Sequence, residues 1–158
     1  MQHIHVHRYE RLWLTASLVM LVFFIAVLAT SAIVDGFVPP SRTQTIDPTK
    51  VSSTPPFDHP GLHQIGPGQY EAYYVGRIFS WDPASITVPV GSHVTFYLTS
   101  ADVMHGFSIP ETGVNASVTP GWVQSVSHTF TKPGTFLVLC NEYCGSGHQF
   151  MSANVIVR

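Results

Sequence analysis

The chain has 158 residues and a formal net charge of −2, with 10% of its residues charged and 45% hydrophobic. So few lysines and arginines offer no basic surface to a nucleic acid, and the apolar content does not suit a disordered acidic tail. After a membrane anchor and a linker are set aside, roughly 90 to 100 residues remain, which is enough for one small globular core.

A membrane-spanning helix is predicted close to the N-terminus. Residues 12–34 contain no charged side chain, and about 20 apolar residues are enough to cross a hydrocarbon core. Arg8 and Arg11 precede this run, and the first charge after it is Asp35. The positive-inside rule therefore predicts a cytoplasmic tail at residues 1–11 and places the rest of the chain outside the plasma membrane. A cleavable signal peptide is the alternative, because small residues end the apolar run.

A proline-rich segment follows the predicted helix. Residues 35–68 include seven prolines and show no sustained apolar periodicity. This composition predicts an ordered or semi-rigid linker that runs over the surface of the domain. His59 and His63 lie among these prolines, and we expect both to be surface residues.

From residue 69 onward the pattern changes to short runs of β-forming residues separated by turns. Such spacing predicts an all-β sandwich that spans residues 69–158. Residues 104–122 are less regular because they include several glycines and prolines, and we expect loops and one short strand there. The predicted strands are Tyr70–Ile78, Ser85–Val88, His93–Thr99, Val123–Phe130, Thr135–Cys140 and Ala153–Val157.

The loop between the last two predicted strands contains Cys140, Cys144, His148 and Met151, and it holds both cysteines of the chain. Thiolate, imidazole and thioether together favour copper. His105 is the best remote candidate for a further ligand, because it follows a predicted strand among apolar residues. Two thiolates can bridge two metal ions, so the pattern favours a closed dinuclear site suited to electron transfer.

In that site each ion would have one imidazole, from His105 or His148. Met151 and a loop carbonyl, plausibly that of Glu142, would be weak donors. Three alternatives remain open on residue pattern alone. A zinc site would leave Met151 unused, a Cys140–Cys144 disulfide is possible in the metal-free protein, and a blue-copper site would leave one cysteine unexplained.

The arrangement of His105 followed by Cys140-x3-Cys144-x3-His148-x2-Met151 resembles the binuclear copper centre, CuA, of subunit II of the haem-copper cytochrome c oxidases. The resemblance implies a cupredoxin-like Greek-key β-sandwich after a membrane helix. The copper ligands that it implies are His105, Cys140, the backbone carbonyl of Glu142, Cys144, His148 and Met151.

The same resemblance implies a role in a proton-translocating respiratory enzyme. CuA would accept single electrons from cytochrome c or a similar donor and pass them to haems in subunit I, where O2 is reduced to water. No catalytic residue is expected in this chain. A single helix in place of the usual hairpin is similar to the B-type oxidases.

Other residues are assigned roles in electron entry, in proton uptake and in binding an ion at the boundary with subunit I. Phe79 and Trp81 are predicted to receive electrons from the donor, because exposed aromatic rings near a metal form an apolar docking patch. Glu10 resembles a glutamate near the proton-uptake path of B-type enzymes. The side chain of Glu142 resembles a magnesium or manganese ligand that A-type oxidases have at the boundary with subunit I.

Two other functions are weighed against the oxidase subunit. One is the CuA subunit of a nitric oxide reductase, whose distinguishing residues would lie in the haem subunit. The other is a membrane-anchored copper chaperone, which would favour an exposed and labile cysteine loop without His105 and Met151 to complete it.

Overall fold

A computed structural model describes residues 7–34 and 41–158, without the side chains of Arg42 and Thr43. The first helix, α1, spans Arg8–Val34 and has a mean hydropathy of 2.7 in its most apolar window. In the described part of the chain it is the one helix long and apolar enough to cross a membrane. Most of the predicted tail, residues 1–6, and the first part of the predicted linker, residues 35–40, lie outside the described residues.

The side chains of α1 suit a lipid environment. None of the described side chains of this helix is buried. The hydroxyls of Thr15 and Thr30 donate to the carbonyls of Arg11 and Ala26 at 2.8 and 2.7 Å. These two hydroxyls are therefore satisfied within the helix, as a hydrocarbon core requires.

All six predicted strands are present, and each end lies within one residue of its predicted position. Residues 104–122 hold two strands, not the single short one predicted, because Gly113 at φ 73° turns the chain back on itself. The strands are β1 Ser41–Thr45, β2 Gly61–Gly66, β3 Gln69–Arg77, β4 Ser80–Asp82, β5 Ser85–Val88, β6 His93–Ser100, β7 His105–Ile109, β8 Val114–Val118, β9 Trp122–Thr129, β10 Gly134–Leu139 and β11 Ser152–Val157.

The strands form two sheets, which confirms the predicted β-sandwich. One sheet has the order β1-β9-β6-β3-β2, and β4 pairs with the end of β3. The other has the order β5-β11-β10-β7-β8. The pairs β3/β6 and β5/β11 are parallel and the remaining pairs are antiparallel. β10 and β7 are far apart in the sequence but neighbours in this sheet, so Cys140, which follows β10, lies beside His105 at the start of β7.

The main core lies between the sheets and is rich in aromatic residues. Tyr74, Phe96, Phe107 and Phe130 are fully buried, and their rings contact one another in a continuous cluster. Alternate burial along β8, where Val114, Ala116 and Val118 face inward, shows the two-residue period of a half-buried strand.

Residues 41–66 depart from the predicted linker. β1 pairs with β9 and β2 pairs with β3, so both strands extend the first sheet. Val51 and Phe57 are each 1% exposed and pack with Val75 and Val123 on its outer side. Proline does not prevent this, because Pro48 lies at the start of a short 3-10 helix, Pro48–Ser53, where no backbone donor is needed. His59 and His63 are exposed, as expected.

Candidate metal centre

The loop of residues 140–151 connects two neighbouring strands and is held at both ends. β10 ends at Leu139 opposite Ser152, the first residue of β11. The Cys140 amide then donates to the Met151 carbonyl at 3.3 Å. The strand ladder therefore closes the loop and places its first and last candidate ligands side by side.

The two cysteine sulfurs lie at the centre of the donor cluster. Their separation is 3.9 Å, far beyond the ~2.05 Å of a disulfide bond, and both cysteines are free. Because a metal–thiolate bond is about 2.3 Å long, both sulfurs can contact the same ion. Cys140 is 7% exposed and Cys144 is 8% exposed, so neither thiol is open to solvent.

Each sulfur has its own imidazole. His105 Nδ1 lies 4.0 Å from Cys140 Sγ, and His148 Nδ1 lies 3.5 Å from Cys144 Sγ. His105 is fully buried at the start of β7, while His148 begins a short 3-10 helix, His148–Phe150. The cluster of His105, Cys140 and Cys144 has all three donor atoms within 4.8 Å of one another.

Each sulfur also has a weak donor beside it. The Glu142 carbonyl oxygen lies 3.2 Å from Cys140 Sγ. Met151 Sδ lies 3.7 Å from Cys144 Sγ, and its side chain is 2% exposed. The donor set is therefore two thiols, two imidazoles, one thioether and one carbonyl, all supplied by this chain.

Asp102 orients the buried imidazole. Its Oδ1 accepts from His105 Nε2 at 2.9 Å, and its two carboxylate oxygens accept from the amides of Ile78 and Val103, both at 2.6 Å. Partial burial raises the pKa of Asp102, but the hydrogen bonds from His105 and from these amides outweigh it and hold the pKa below its ordinary value. The carboxylate stays ionised and leaves Nδ1 of His105 free to bind a metal.

The Cys144 thiol needs a metal to become a thiolate. Burial, together with the hydrogen bond and charge of Cys140, raises the pKa of the Cys144 thiol to about 11. A bound ion would therefore displace the proton that this thiol carries in the metal-free protein. Soft sulfur donors with imidazoles fit copper, whereas a zinc site of two thiolates and two imidazoles would leave Met151 Sδ pointing at a sulfur without a role.

Phe79 covers the loop between two of the candidate ligands. A Cβ atom on Gly147 would lie 2.7 Å from Phe79 Cγ, and one on Gly145 would lie 3.0 Å from Phe79 Cε1. The ring therefore rests directly on the backbone between Cys144 and His148, and it is half-buried.

Of the aromatic residues predicted to receive electrons, only Phe79 is partly exposed. Trp81 is 3% exposed and packs against the rings of His105 and Phe107, with centroids 5.7 and 5.2 Å apart. It lies inside because β4 pairs with β3 and turns residue 81 toward the core. Trp81 thus cannot be an exposed docking residue. Tyr143 and Phe150 on the loop are 80% and 77% exposed.

The structure brings together the donor atoms of all six residues predicted as ligands. Glu10, the predicted proton-path residue, lies in the first turn of α1 and accepts from the amide of His7. Sequence reasoning missed Asp102 and Ser117, which support the ligands. The spacing of Asp102 three residues before His105 was the signal for the first; nothing in the sequence marked the second.

The comparisons with known proteins agree with this geometry. The family model for cytochrome c oxidase subunit II, periplasmic domain, matches residues 75–157. The sequence is 39% identical to cytochrome c oxidase subunit 2 of Thermus thermophilus over 160 residues, which cover 99% of this chain and 95% of the relative.

Two solved structures are also similar to this chain. A chain of a haem-copper terminal oxidase dimer is similar with a TM-score of 0.79 and 31% identity, over 96% of this chain and 100% of that chain. The periplasmic domain of subunit II of cytochrome oxidase from Bradyrhizobium japonicum shares the fold, with a TM-score of 0.52 and 24% identity over 56% of this chain and 83% of that chain.

Proposed function

The chain belongs to the family of cytochrome c oxidase subunit II, the electron-transfer subunit of haem-copper oxidases, and we propose that its copper site is a binuclear CuA centre. Single electrons from cytochrome c or a similar donor reach this centre and pass to haems in subunit I, where O2 is reduced to water. The chain carries the relay, and the oxygen chemistry belongs to the partner subunit.

The observation that carries the proposal is the pair of cysteine sulfurs 3.9 Å apart, each with its own imidazole and weak donor. Cys140 lies beside His105 and the Glu142 carbonyl, and Cys144 lies beside His148 and Met151. Each of these two groups of donors can hold one metal ion, and because the two sulfurs lie close together both ions can share them. Cys140 and Cys144 would hold both coppers together, and the pair of ions would supply a centre that takes up and releases one electron at a time.

The protein contributes a rigid and closed set of donors. The strands β10 and β11 hold the ends of the loop, Asp102 holds His105, and the core packs around both cysteines and Met151. Because the chain fills the donor positions, no open position is left for a substrate. This favours electron transfer over catalysis at the metal.

The donor docks, in this proposal, on the exposed aromatic residues of the copper loop, residues 140–151. Tyr143 and Phe150 are exposed, and Phe79 lies against the loop backbone between them. The loop carries a single charged residue, the half-buried Glu142. An apolar surface of this kind binds mainly by burying area, and charge contributes little to it.

The membrane orientation completes the proposal. Arg8 and Arg11 at the start of α1 support a cytoplasmic N-terminus, with the copper domain outside the plasma membrane. Among the residues that the structure describes, α1 is the one helix able to span a membrane, which supports a B-type oxidase. With this orientation Glu10, in the first turn of the helix, would lie on the side from which protons are taken up, and we propose it as a proton-collecting residue.

The alternatives gain no support from the relatives. A copper chaperone would need accessible thiols for transfer, whereas both cysteines are buried and surrounded by four further donors. No observation favours a nitric oxide reductase over an oxidase.

The proposal is tested on the full-length chain in detergent after loading with copper. We expect a purple protein whose electron paramagnetic resonance signal shows one electron shared by two coppers. Cys140→Ser and Cys144→Ser should each abolish this signal, because both bridges are needed. A single intense blue band, or a protein that binds zinc and stays colourless with copper, would overturn the proposal.

Met151→Leu provides a finer test of the ligand set. This change keeps the volume of the side chain but removes the sulfur 3.7 Å from Cys144, so copper should be retained with a shifted reduction potential. Met104→Leu is the matched control, since Met104 is 50% exposed and has no contact with a cysteine sulfur among the described contacts. Equal spectra and potentials in both variants would remove Met151 from the ligand set.

A further inference from the structure

After β10 ends, the copper loop crosses the outer side of β7, the strand next to β10 in the second sheet. In the second sheet β7 lies between β10 and β8. Residues 141 and 142 pass over β7 at Gly106, where a Cβ atom would lie 2.8 Å from the Glu142 amide nitrogen and 3.0 Å from its Cγ. The absence of a side chain at residue 106 therefore lets the loop reach the strand beyond.

Two side chains of β8 hold the loop on the far side of this crossing. Asn115 Oδ1 accepts from Asn141 Nδ2 at 3.1 Å, and the Ser117 hydroxyl donates to Glu142 Oε1. Asn115 and Ser117 are two residues apart on β8 and are both exposed, so they project from the same side of the strand. Ser117 is also the strand partner of Gly106. The contacts thus form one group around the crossing point.

The segment that Asn115 and Ser117 hold, residues 141 and 142, includes one weak donor of the proposed copper site, the Glu142 carbonyl. The carbonyl of Glu142 lies 3.2 Å from Cys140 Sγ, and the side chain of the same residue is bound by Ser117. Among the described residues, the other carboxylate oxygen, Oε2, is buried and has no hydrogen-bond partner. The Ser117 hydroxyl is therefore the contact that keeps this carboxylate in place.

Resting on the proposed copper function, we propose that Asn115 and Ser117 are positioning residues that set the place of the Glu142 carbonyl and thereby the reduction potential of the centre. Among the described contacts, neither side chain touches a donor atom of the site. Without the Ser117 hydroxyl, a carboxylate that lacks a partner turns toward water, and the backbone that carries its carbonyl moves with it. A carbonyl oxygen that has moved away from the centre is a weaker donor and stabilises the oxidised form less. The reduction potential therefore rises.

The test compares single and double variants of the full-length, copper-loaded chain in detergent. Ser117→Ala, Asn115→Ala and the double variant should retain both coppers, raise the reduction potential and change the copper hyperfine splitting, with the largest change in the double variant. Ser117→Thr keeps a hydroxyl and should restore the parent values. Ser85→Ala is the matched control, because Ser85 is an exposed serine on β5, at the opposite edge of the same sheet.

The outcomes separate this inference from the function on which it rests. If the unaltered chain shows no shared-electron signal, the proposed function fails. If it shows the signal but the β8 variants match Ser85→Ala in potential and hyperfine splitting, the positioning role fails. The positioning role also fails if Ser117→Thr behaves like Ser117→Ala, because the effect would then be one of packing and not of the hydroxyl.

Discussion

Asp102 Oδ1 accepts a hydrogen bond from His105 Nε2 at 2.9 Å, on the side of the ring opposite Cys140. Because Nε2 carries the donated proton, Nδ1 is the nitrogen with a free lone pair, and this atom faces the cysteine sulfur. The carboxylate is held in turn by the amides of Ile78 and Val103. The backbone after β3 and before β7 therefore holds the ring of the candidate ligand His105 in place through Asp102.

Asp102→Asn should weaken copper binding and raise the reduction potential. The amide of asparagine has the size of the carboxylate, but its nitrogen cannot accept from the Ile78 or Val103 amide, and it carries no charge to make His105 a stronger donor. Loss of such a supporting group typically costs 10- to 100-fold in metal affinity, so we expect a loss of about that size. Competition with a copper chelator and a redox titration measure the two effects.

Asp58→Asn is the control for Asp102→Asn, because Asp58 lies on the surface near His59 and has no contact with the copper loop among the described contacts. An Asp102→Asn protein with the copper affinity and potential of this control would show that the hydrogen bond to His105 has no part in tuning the site.

Gly147→Ala should destabilise the copper loop through a single steric contact. Gly147 has φ −101°, which alanine tolerates, but its Cβ would lie 2.7 Å from Phe79 Cγ. We expect a loss of about 1–3 kcal/mol in the free energy of unfolding, as is usual for overpacking, together with an altered copper spectrum. Urea titration of the parent and variant chains measures the loss.

Because Phe79 contacts Gly147, the losses of stability caused by Phe79→Ala and by Gly147→Ala should not be additive. In the double variant Phe79→Ala/Gly147→Ala, the added methyl group has room, so the combined loss should be smaller than the sum of the single losses. Gly66→Ala is the control, since its Cβ would have only an ordinary 3.8 Å contact with Gln69. Strict additivity would exclude Phe79 as the obstacle.

The donor atoms of the site could be predicted from sequence because their chemistry is specific to metals. Two thiols, an imidazole and a thioether within 12 residues have few other uses, and the strands on both sides follow an alternating pattern. The supporting contacts could not be predicted in this way. Ser117 is an ordinary strand serine in sequence, and only the order of strands in the second sheet brings it beside Glu142.

The fold was predicted well where alternation is strong and poorly where turn residues are frequent. Prolines made residues 41–66 look like a linker, although Val51 and Phe57 supply enough apolar surface to anchor the segment. Gly106 weakened the signal of β7, and its absence of a side chain turns out to be needed for the loop crossing. The burial of Trp81 depends on how β4 pairs with β3, which sequence alone does not specify.

The stability of the copper domain should fall as the pH drops below 6.5 because of His128. Burial lowers the pKa of this imidazole below 6.5, its hydrogen bond with Thr112 opposes the shift, and the charge of His93 adds to it. Its ring also packs edge-on against Phe130 at 4.8 Å. The unfolded chain therefore binds this proton more readily than the folded chain does. The stabilisation is complete above pH 6.5 and is lost as the pH falls toward the pKa of the folded state.

Urea unfolding of the full-length chain between pH 7.5 and 5 at roughly half-unit steps measures this dependence. His128→Gln should flatten it, while His63→Gln, a change at an exposed histidine, should leave it as in the parent. The candidate metal ligands are the same in all three proteins, so the difference between their curves isolates His128. Parallel curves for His128→Gln and the parent would contradict the prediction.

Donor oxidation by the complete oxidase should depend only weakly on ionic strength. The exposed side chains of the copper loop, at residues 141, 143, 146, 149 and 150, carry no charge. The largest of them, Tyr143 and Phe150, are 80% and 77% exposed, and electrostatic steering requires charges that salt can screen. Phe150→Ala should instead weaken donor binding about 5- to 30-fold, since truncating an aromatic contact at an interface typically costs about 1–2 kcal/mol. Ile65→Ala, at a 62% exposed residue on β2 in the other sheet, is the matched control. A steep fall of the rate with salt, or equal donor affinity in the Phe150→Ala and Ile65→Ala enzymes, would place the docking surface elsewhere on the protein.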